Sequence, residues 1–247
     1  MDYATHCAEL DLEGQRFVAR LRQADPGATV PTCPGWTVDD LASHVAYVHR
    51  WAEGLVSRRA PVRLSGRDLG ITGVTGDPEA LAEGLEGLRV RFASSDPDAP
   101  MWAWGADQHL RFWARRMLHE TLVHRIDLEC ALGVDHSFDP VIAVDAIDEF
   151  LVNLPAARSF SPDLSQLVGR GEWLTFRSDE GPSWGVCLEP EGFVVTSPTS
   201  SPDALLEGPA TEMLLVLSRR RALGDSTCRV SGRGELVTTW LRHSSLA

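Results

Sequence analysis

The sequence predicts a two-domain chain, an α-helical bundle followed by a smaller α+β domain. Three observations carry this. Apolar residues recur at helical spacing from residue 3 to about residue 155, with no strand pattern between them. The segment 107–132 runs without an internal Gly or Pro and stops at Gly133. Beyond residue 160 the character changes to short β-rich runs separated by turn residues. The expected boundaries are 1–158 for the bundle and 159–247 for the second domain, and 247 residues suffice for two cores.

Residues 3–23 form the first predicted helix, with Leu10, Phe17, Val18 and Leu21 as core contacts and Pro26-Gly27 as its stop. After the rigid stretch Val30-Pro31-Thr32-Cys33-Pro34-Gly35-Trp36, Thr37 begins a helix to about Arg58. Asp39 and Asp40 in its first turn favour the helix dipole. Residues 59–77 read as a Gly- and Arg-rich loop. Asp77-Pro78 opens a helix over roughly 78–94, with Pro at the first helical position. An irregular segment with Trp102 and Trp104 precedes the helix at 107–132, and a further helix is expected at 140–155. In the second domain, strands are expected at Trp173–Arg177, Trp184–Leu188, Phe193–Thr196 and near 227–231, and helices at 209–222 and 234–243.

The formal net charge of −12 argues against a nucleic-acid surface, which needs clustered positive charge. All 23 basic residues are Arg, as a GC-rich genome would produce. The five Cys (7, 33, 130, 187 and 228) are scattered without a CxxC pair. No secretory signal and no membrane-length apolar run is evident, so a cytoplasmic setting with free thiols and no membrane partner is expected.

On helix 107–132, positions 113, 117, 120, 124, 127 and 131 share one face and hold Trp113, Met117, Glu120, His124, Asp127 and Ala131. Glu120 and His124 are four residues apart, one turn along that face. A buried carboxylate beside a buried imidazole needs a partner or a metal. The two readings are a satisfied His–Glu pair, or a stripe rotated outward, and a divalent metal site completed by a facing helix, with an open position suited to catalysis. His119-Glu120 suggests an HExxH motif, but HETLVH is one residue too long. His119 and His124 diverge by about 140° round the helix, which leaves His119 as a flank residue. For the third ligand, His44 sits among Leu41, Val45 and Val48, whereas His49 adjoins Arg50 on what reads as the wetter side.

The stretch VPTCPGWTVDDLASHVAYVHRW, followed at a distance by RRMLHETLVHRIDLE, resembles the mycothiol-dependent maleylpyruvate isomerase family within the DinB/YfiT-like metal-binding bundles. Leu214 to Arg220 and Gly232-Arg233-Gly234-Glu235-Leu236 are similar to that family's second, sterol-carrier-like domain. The resemblance implies a DinB-like four-helix bundle that binds Zn²⁺, or another divalent metal, through His44, Glu120 and His124. Mycothiol, the low-molecular-weight thiol of actinobacteria, would be the cosubstrate. It also implies an Arg of the second domain near the substrate, best matched by Arg220 and next by Arg219, although Ser218-Arg219 departs from the expected flanking pair.

That ligand set fits an isomerase or S-transferase in which a metal-bound thiolate attacks a small electrophile. A dicarboxylate would suit bidentate Arg pairing. The expected assembly is a monomer or homodimer. A hydrolase that activates water and a non-catalytic metabolite-binding or regulatory protein are the alternatives. Asp127, one turn past His124, is a candidate acceptor for a ligand imidazole or a partner for an Arg. Pro34-Gly35-Trp36 reads as structural and Cys33 as a buried, inert thiol. Trp102 and Trp104 read equally as core packing and as a cleft wall. Arg115-Arg116 reads as a solvated face, with attraction of an anionic thiol as its functional alternative.

Overall fold

In the computed structural model, which describes residues 1–245, the chain divides into two compact units, Met1–Ser137 and a second from Phe138 onward. The division falls about twenty residues before the boundary read from the sequence. The helix at 140–153 packs on a helix of the second unit, so it belongs there despite its all-helical context.

The first unit holds α1 (Tyr3–Leu21), α2 (Val38–Arg58), α3 (Pro78–Ala93) and α4 (Arg111–Leu132). Each of the first three starts on a residue whose side chain satisfies an orphan backbone N–H. Asp2 accepts from Thr5 N and Asp77 from Ala80 N, while Thr37 and Asp40 form a reciprocal capping box. Helix α1 lies along α4 and α3, and α2 packs on both α3 and α4. Phe17, Val18, Leu21, Val38, Leu41, Val45, Leu81 and Leu128 share one core. Each such side chain contributes about 1.5–3 kcal/mol by leaving water.

Two features fix the α1/α4 seam and the loop above it. Arg125, buried on α4, donates to Glu13 Oε2 on α1 at 2.5 Å, to Glu129 Oε2 at 2.5 Å and to the Ser137 carbonyl at 3.1 Å. In the α1–α2 loop, Trp36 N donates to the Cys33 carbonyl at 3.0 Å, closing a turn whose third position is Gly35 at φ +86°. A Pro-Gly pair suits this geometry, Pro fixing the second position and Gly accepting the positive φ of the third.

The second unit opens with α5 (Pro140–Asn153), which packs on α6 (Ala210–Leu217). Its strands are β1 (Glu172–Ser178), β2 (Ser183–Glu189), β3 (Gly192–Thr196), β4 (Ala204–Gly208) and β5 (Arg229–Gly232), and α7 (Gly234–His243) closes the chain. They form a mixed five-stranded sheet in the order β3-β2-β1-β4-β5, with β1 and β4 parallel and every other pairing antiparallel. Trp240 of α7 meets Phe176 and Phe193, with ring centroids 5.6 and 5.2 Å away, and seals the sheet. Strand β4 lies outside the sequence reading. Ala204-Leu205-Leu206-Glu207 has no β-branched residue, and its extended form follows from pairing on both sides with β1 and β5.

Candidate metal centre

Helix α4 carries Glu120 and His124 one turn apart, and α2 brings His44 against them from the facing side. Glu120 Oε1 lies 3.1 Å from His44 Nε2 and 3.2 Å from His124 Nε2. The three donor atoms lie within 4.8 Å of one another. In a tetrahedral zinc site with bonds of about 2.0–2.1 Å, neighbouring ligand atoms stand about 3.3–3.4 Å apart. The two separations fall just short of that spacing.

The remaining ring nitrogen of His124 decides what this cluster holds. Nδ1 lies 2.8 Å from Asp127 Oδ2, where a fully buried carboxylate accepts its proton. A neutral ring protonated at Nδ1 leaves a lone pair on Nε2, aimed at the lone pairs of Glu120 Oε1. A proton shared between Nε2 and Oε1, or a cation between the two atoms, relieves that contact. Without a metal the proton serves. Burial opposes charge on His124, but hydrogen bonds with Asp127, Cys33 and Glu120 outweigh it and hold the imidazolium well above the ordinary His range. Burial likewise opposes the Glu120 carboxylate, yet His124, His44 and Arg116 hold it well below the usual range. The donor set of two imidazoles and one carboxylate therefore fits a divalent metal.

The surroundings come from α4 and from the α1–α2 loop. Thr32 donates to Asp127 Oδ1 at 2.5 Å and the Cys33 thiol to Oδ2 at 3.4 Å, so the loop fixes the carboxylate that orients His124. The Trp36 ring, aimed by the Pro34-Gly35 turn, sits 5.1 Å from the His44 ring and 6.4 Å from that of His124, nearly parallel to the latter. Arg116, one turn before Glu120, donates to Glu120 Oε2 at 3.0 Å. Side-chain exposure falls from 34% at His44 to 20% at Glu120 and 11% at His124, so the cluster opens to solvent on the α2 side.

Several residues differ from their sequence readings. His49 is fully buried rather than on a wetter face. Its Nε2 lies 2.8 Å from Thr121 Oγ1, within the α2/α4 interface. His119 is also buried, edge-on to the His6 ring at 6.3 Å, and stands outside the cluster. Arg116 is a buried ion-pair partner rather than part of a solvated face, because its position four residues from Glu120 puts it on the inward stripe. Cys33 is half-buried and shares Asp127 with His124, which forms a second metal-compatible group, Cys33, His124 and Asp127. Trp36 lines the cluster, a role that Pro-Gly-Trp as a turn and helix start did not suggest. Trp102 and Trp113 pack with Trp51 in an aromatic group, their centroids 6.0 and 5.2 Å from the Trp51 ring.

In the second unit, Arg219 adopts φ +63° just after α6 and donates to the carbonyls of Leu241 and Arg242, tying the end of α7. Arg220 is half-buried, with Nη1 donating to the Ser218 carbonyl at 2.7 Å. Both arginines thus donate to backbone carbonyls, Arg219 to the end of α7 and Arg220 to the end of α6.

Residues 7–129 match the family model described as mycothiol maleylpyruvate isomerase N-terminal domain, and residues 142–239 match the corresponding C-terminal domain. The crystal structure of the mycothiol-dependent maleylpyruvate isomerase superposes with a TM-score of 0.59 at 17% identity, covering 92% of this chain and 93% of that one. A histidine-to-alanine mutant of that enzyme gives the same values. These likenesses show a shared fold. No curated protein matches the chain by sequence.

Proposed function

The chain belongs to the mycothiol maleylpyruvate isomerase family, and we propose that it is a zinc-dependent, mycothiol-using isomerase or S-transferase acting on a small electrophile. The observation that carries this reading is the placement of Glu120 Oε1 between two imidazole nitrogens, with the second nitrogen of His124 held by Asp127. His44, Glu120 and His124 would hold the metal. Bound there, Zn²⁺ would supply a Lewis acid that favours thiolate over thiol at neutral pH.

The chain's own residues prepare that chemistry. Asp127 keeps the Nδ1 proton on His124 and so turns the Nε2 lone pair toward the cluster. Glu120 remains ionised through its hydrogen bonds and the Arg116 guanidinium. Trp36 excludes water from one side of both imidazoles and leaves the more exposed His44 side for entry. Arg220 is the proposed partner for a substrate carboxylate, since a guanidinium pairs with it bidentately.

With mycothiol as the nucleophile, its sulfur adds to an activated carbon–carbon double bond. Rotation about the resulting single bond and elimination of the same thiol give an isomer. Return of the thiol's proton to the neighbouring adduct carbon instead retains the thioether and gives an S-conjugate. Among the described residues no helix is long and apolar enough to cross a membrane and all five cysteines are free, which supports a reducing cytoplasm as the working compartment.

Metal analysis of the purified protein, followed by titration with mycothiol, tests the proposal. One zinc per chain, lost in His44→Ala and in His124→Ala together with thiol-dependent turnover, is the expected result. Zinc retained at unchanged affinity in both variants would overturn it. Metal-dependent turnover indifferent to mycothiol would point to activated water instead.

A further inference from the structure

We propose that Arg116 is a positioning residue that restricts Glu120 to a single ligating oxygen and so keeps a coordination position open for the thiol. This rests on the metal reading above. The two oxygens of Glu120 have separate tasks. Oε1 lies between the two imidazole nitrogens, whereas Oε2 accepts from Arg116 Nη2 at 3.0 Å. Arg116 is itself buried, with 9% of its surface exposed, and sits one turn before Glu120 on the same helix, so its reach to Oε2 is set by the α4 backbone.

A carboxylate can bind a metal through one oxygen or both. Which it does depends on whether the second oxygen has a stronger partner. A charge-assisted hydrogen bond from a buried guanidinium is such a partner, because with both groups ionised it is about twice as strong as a neutral hydrogen bond. With Oε2 engaged, Glu120 supplies one bond and the three residues supply three, leaving a tetrahedral ion one position for an incoming ligand. With Oε2 released, the carboxylate can swing to chelate, which takes an ion that keeps its fourth ligand to five-coordinate and crowds the position the thiol needs. Arg116 thus acts on coordination number through Glu120, without touching the metal or the substrate.

The test uses Co²⁺ as the probe, since its visible d–d absorption is several-fold stronger in four-coordinate than in five- or six-coordinate sites. Full-length wild type, Arg116→Met and Arg116→Lys are loaded with Co²⁺ and titrated with mycothiol. The wild type is expected to show the strong four-coordinate spectrum. Arg116→Met should still bind Co²⁺ but absorb several-fold less, and bind thiol about tenfold more weakly. Arg116→Lys, which keeps a donor for Oε2, should recover most of the wild-type spectrum even if Arg116→Met folds poorly. Identical spectra and thiol affinities in wild type and Arg116→Met would overturn the inference while leaving the metal site standing. Wild type that takes up no Co²⁺ would overturn both.

Discussion

Asp127 Oδ2 accepts the His124 Nδ1 proton at 2.8 Å, three residues farther along α4, and the same carboxylate receives Thr32 and Cys33 from the α1–α2 loop. The pair fixes one tautomer of His124 and ties the orientation of that imidazole on α4 to a loop about ninety residues earlier. Replacing Asp127 by Ala frees the ring to rotate and leaves its Nδ1 proton without an acceptor. Groups that orient metal-bound imidazoles typically contribute about 10–100-fold in affinity, so zinc binding should weaken by that factor. Asp127→Asn keeps an oxygen acceptor and should lose less. Competition with a chromogenic chelator measures both, and equal affinities in wild type and Asp127→Ala would remove Asp127 from the site.

A metal that binds the folded chain and not the unfolded one stabilises it by mass action. At free Zn²⁺ of about a hundred times Kd, the gain is about 2.7 kcal/mol, or about 5–10 °C in Tm for a chain of this size. Glu120→Gln retains the shape of the side chain but removes the ligand charge, and should show little of that shift. Thermal scans of wild type and variant, each with chelator and with excess zinc, read the difference directly. An equal zinc-dependent rise in both would place the metal elsewhere.

Much of this architecture was legible because it is periodic. The stripe of Trp113, Met117, Glu120, His124, Asp127 and Ala131 follows the helical repeat, and burial of all but the more open Glu120 and Ala131 follows from that repeat. Arg116 was equally legible by spacing, four residues before Glu120, but its charge favoured a solvated reading. His49 next to Arg50 was misplaced for a related reason. A polar neighbour in sequence says little about the facing helix, and here Thr121 supplies the partner. The parts that were not legible depend on contacts distant in sequence. Thr32 and Cys33 reach Asp127 across 95 and 94 positions. Strand β4 exists because β1 and β5 flank it, and α5 joins the second unit by packing on α6 rather than by any change in composition.

Arg125 should matter for stability more than for catalysis. It is buried between Glu13 and Glu129 and also donates to the Ser137 carbonyl. Arg125→Met leaves Glu13 with only Arg16 and Glu129 with only Arg20, both more exposed, so the loss should stay below the about 3–5 kcal/mol of a fully uncompensated buried charge. Arg125→Lys keeps the charge but cannot span both carboxylates and the carbonyl with one ammonium, so it should lose a large part of the same stability. Denaturant midpoints measured with chelator present separate this effect from metal binding. A midpoint unchanged in Arg125→Met would show that the network contributes nothing net.

His49 gives the fold a pH dependence of its own. Thr121 Oγ1 donates to the Met117 carbonyl at 2.7 Å, so it must accept from His49 Nε2, which leaves Nδ1 as the unprotonated nitrogen. Nδ1 is buried and has no hydrogen-bond partner among the described residues. A second proton there would be an uncompensated charge, and burial accordingly pushes the imidazole down to about 4, against the attraction of Glu120. Below its ordinary value of about 6.5, the unfolded chain therefore binds a proton that the folded chain refuses. The stability His49 confers is complete above about pH 6.5, declines as the pH falls, and is lost by about pH 4, for a total of about 3 kcal/mol. In metal-free protein, His49→Gln should be less stable than wild type at pH 7.5 and should approach or overtake it near pH 4.5. Parallel stability-against-pH curves for the two proteins would show that His49 does not titrate differently on folding.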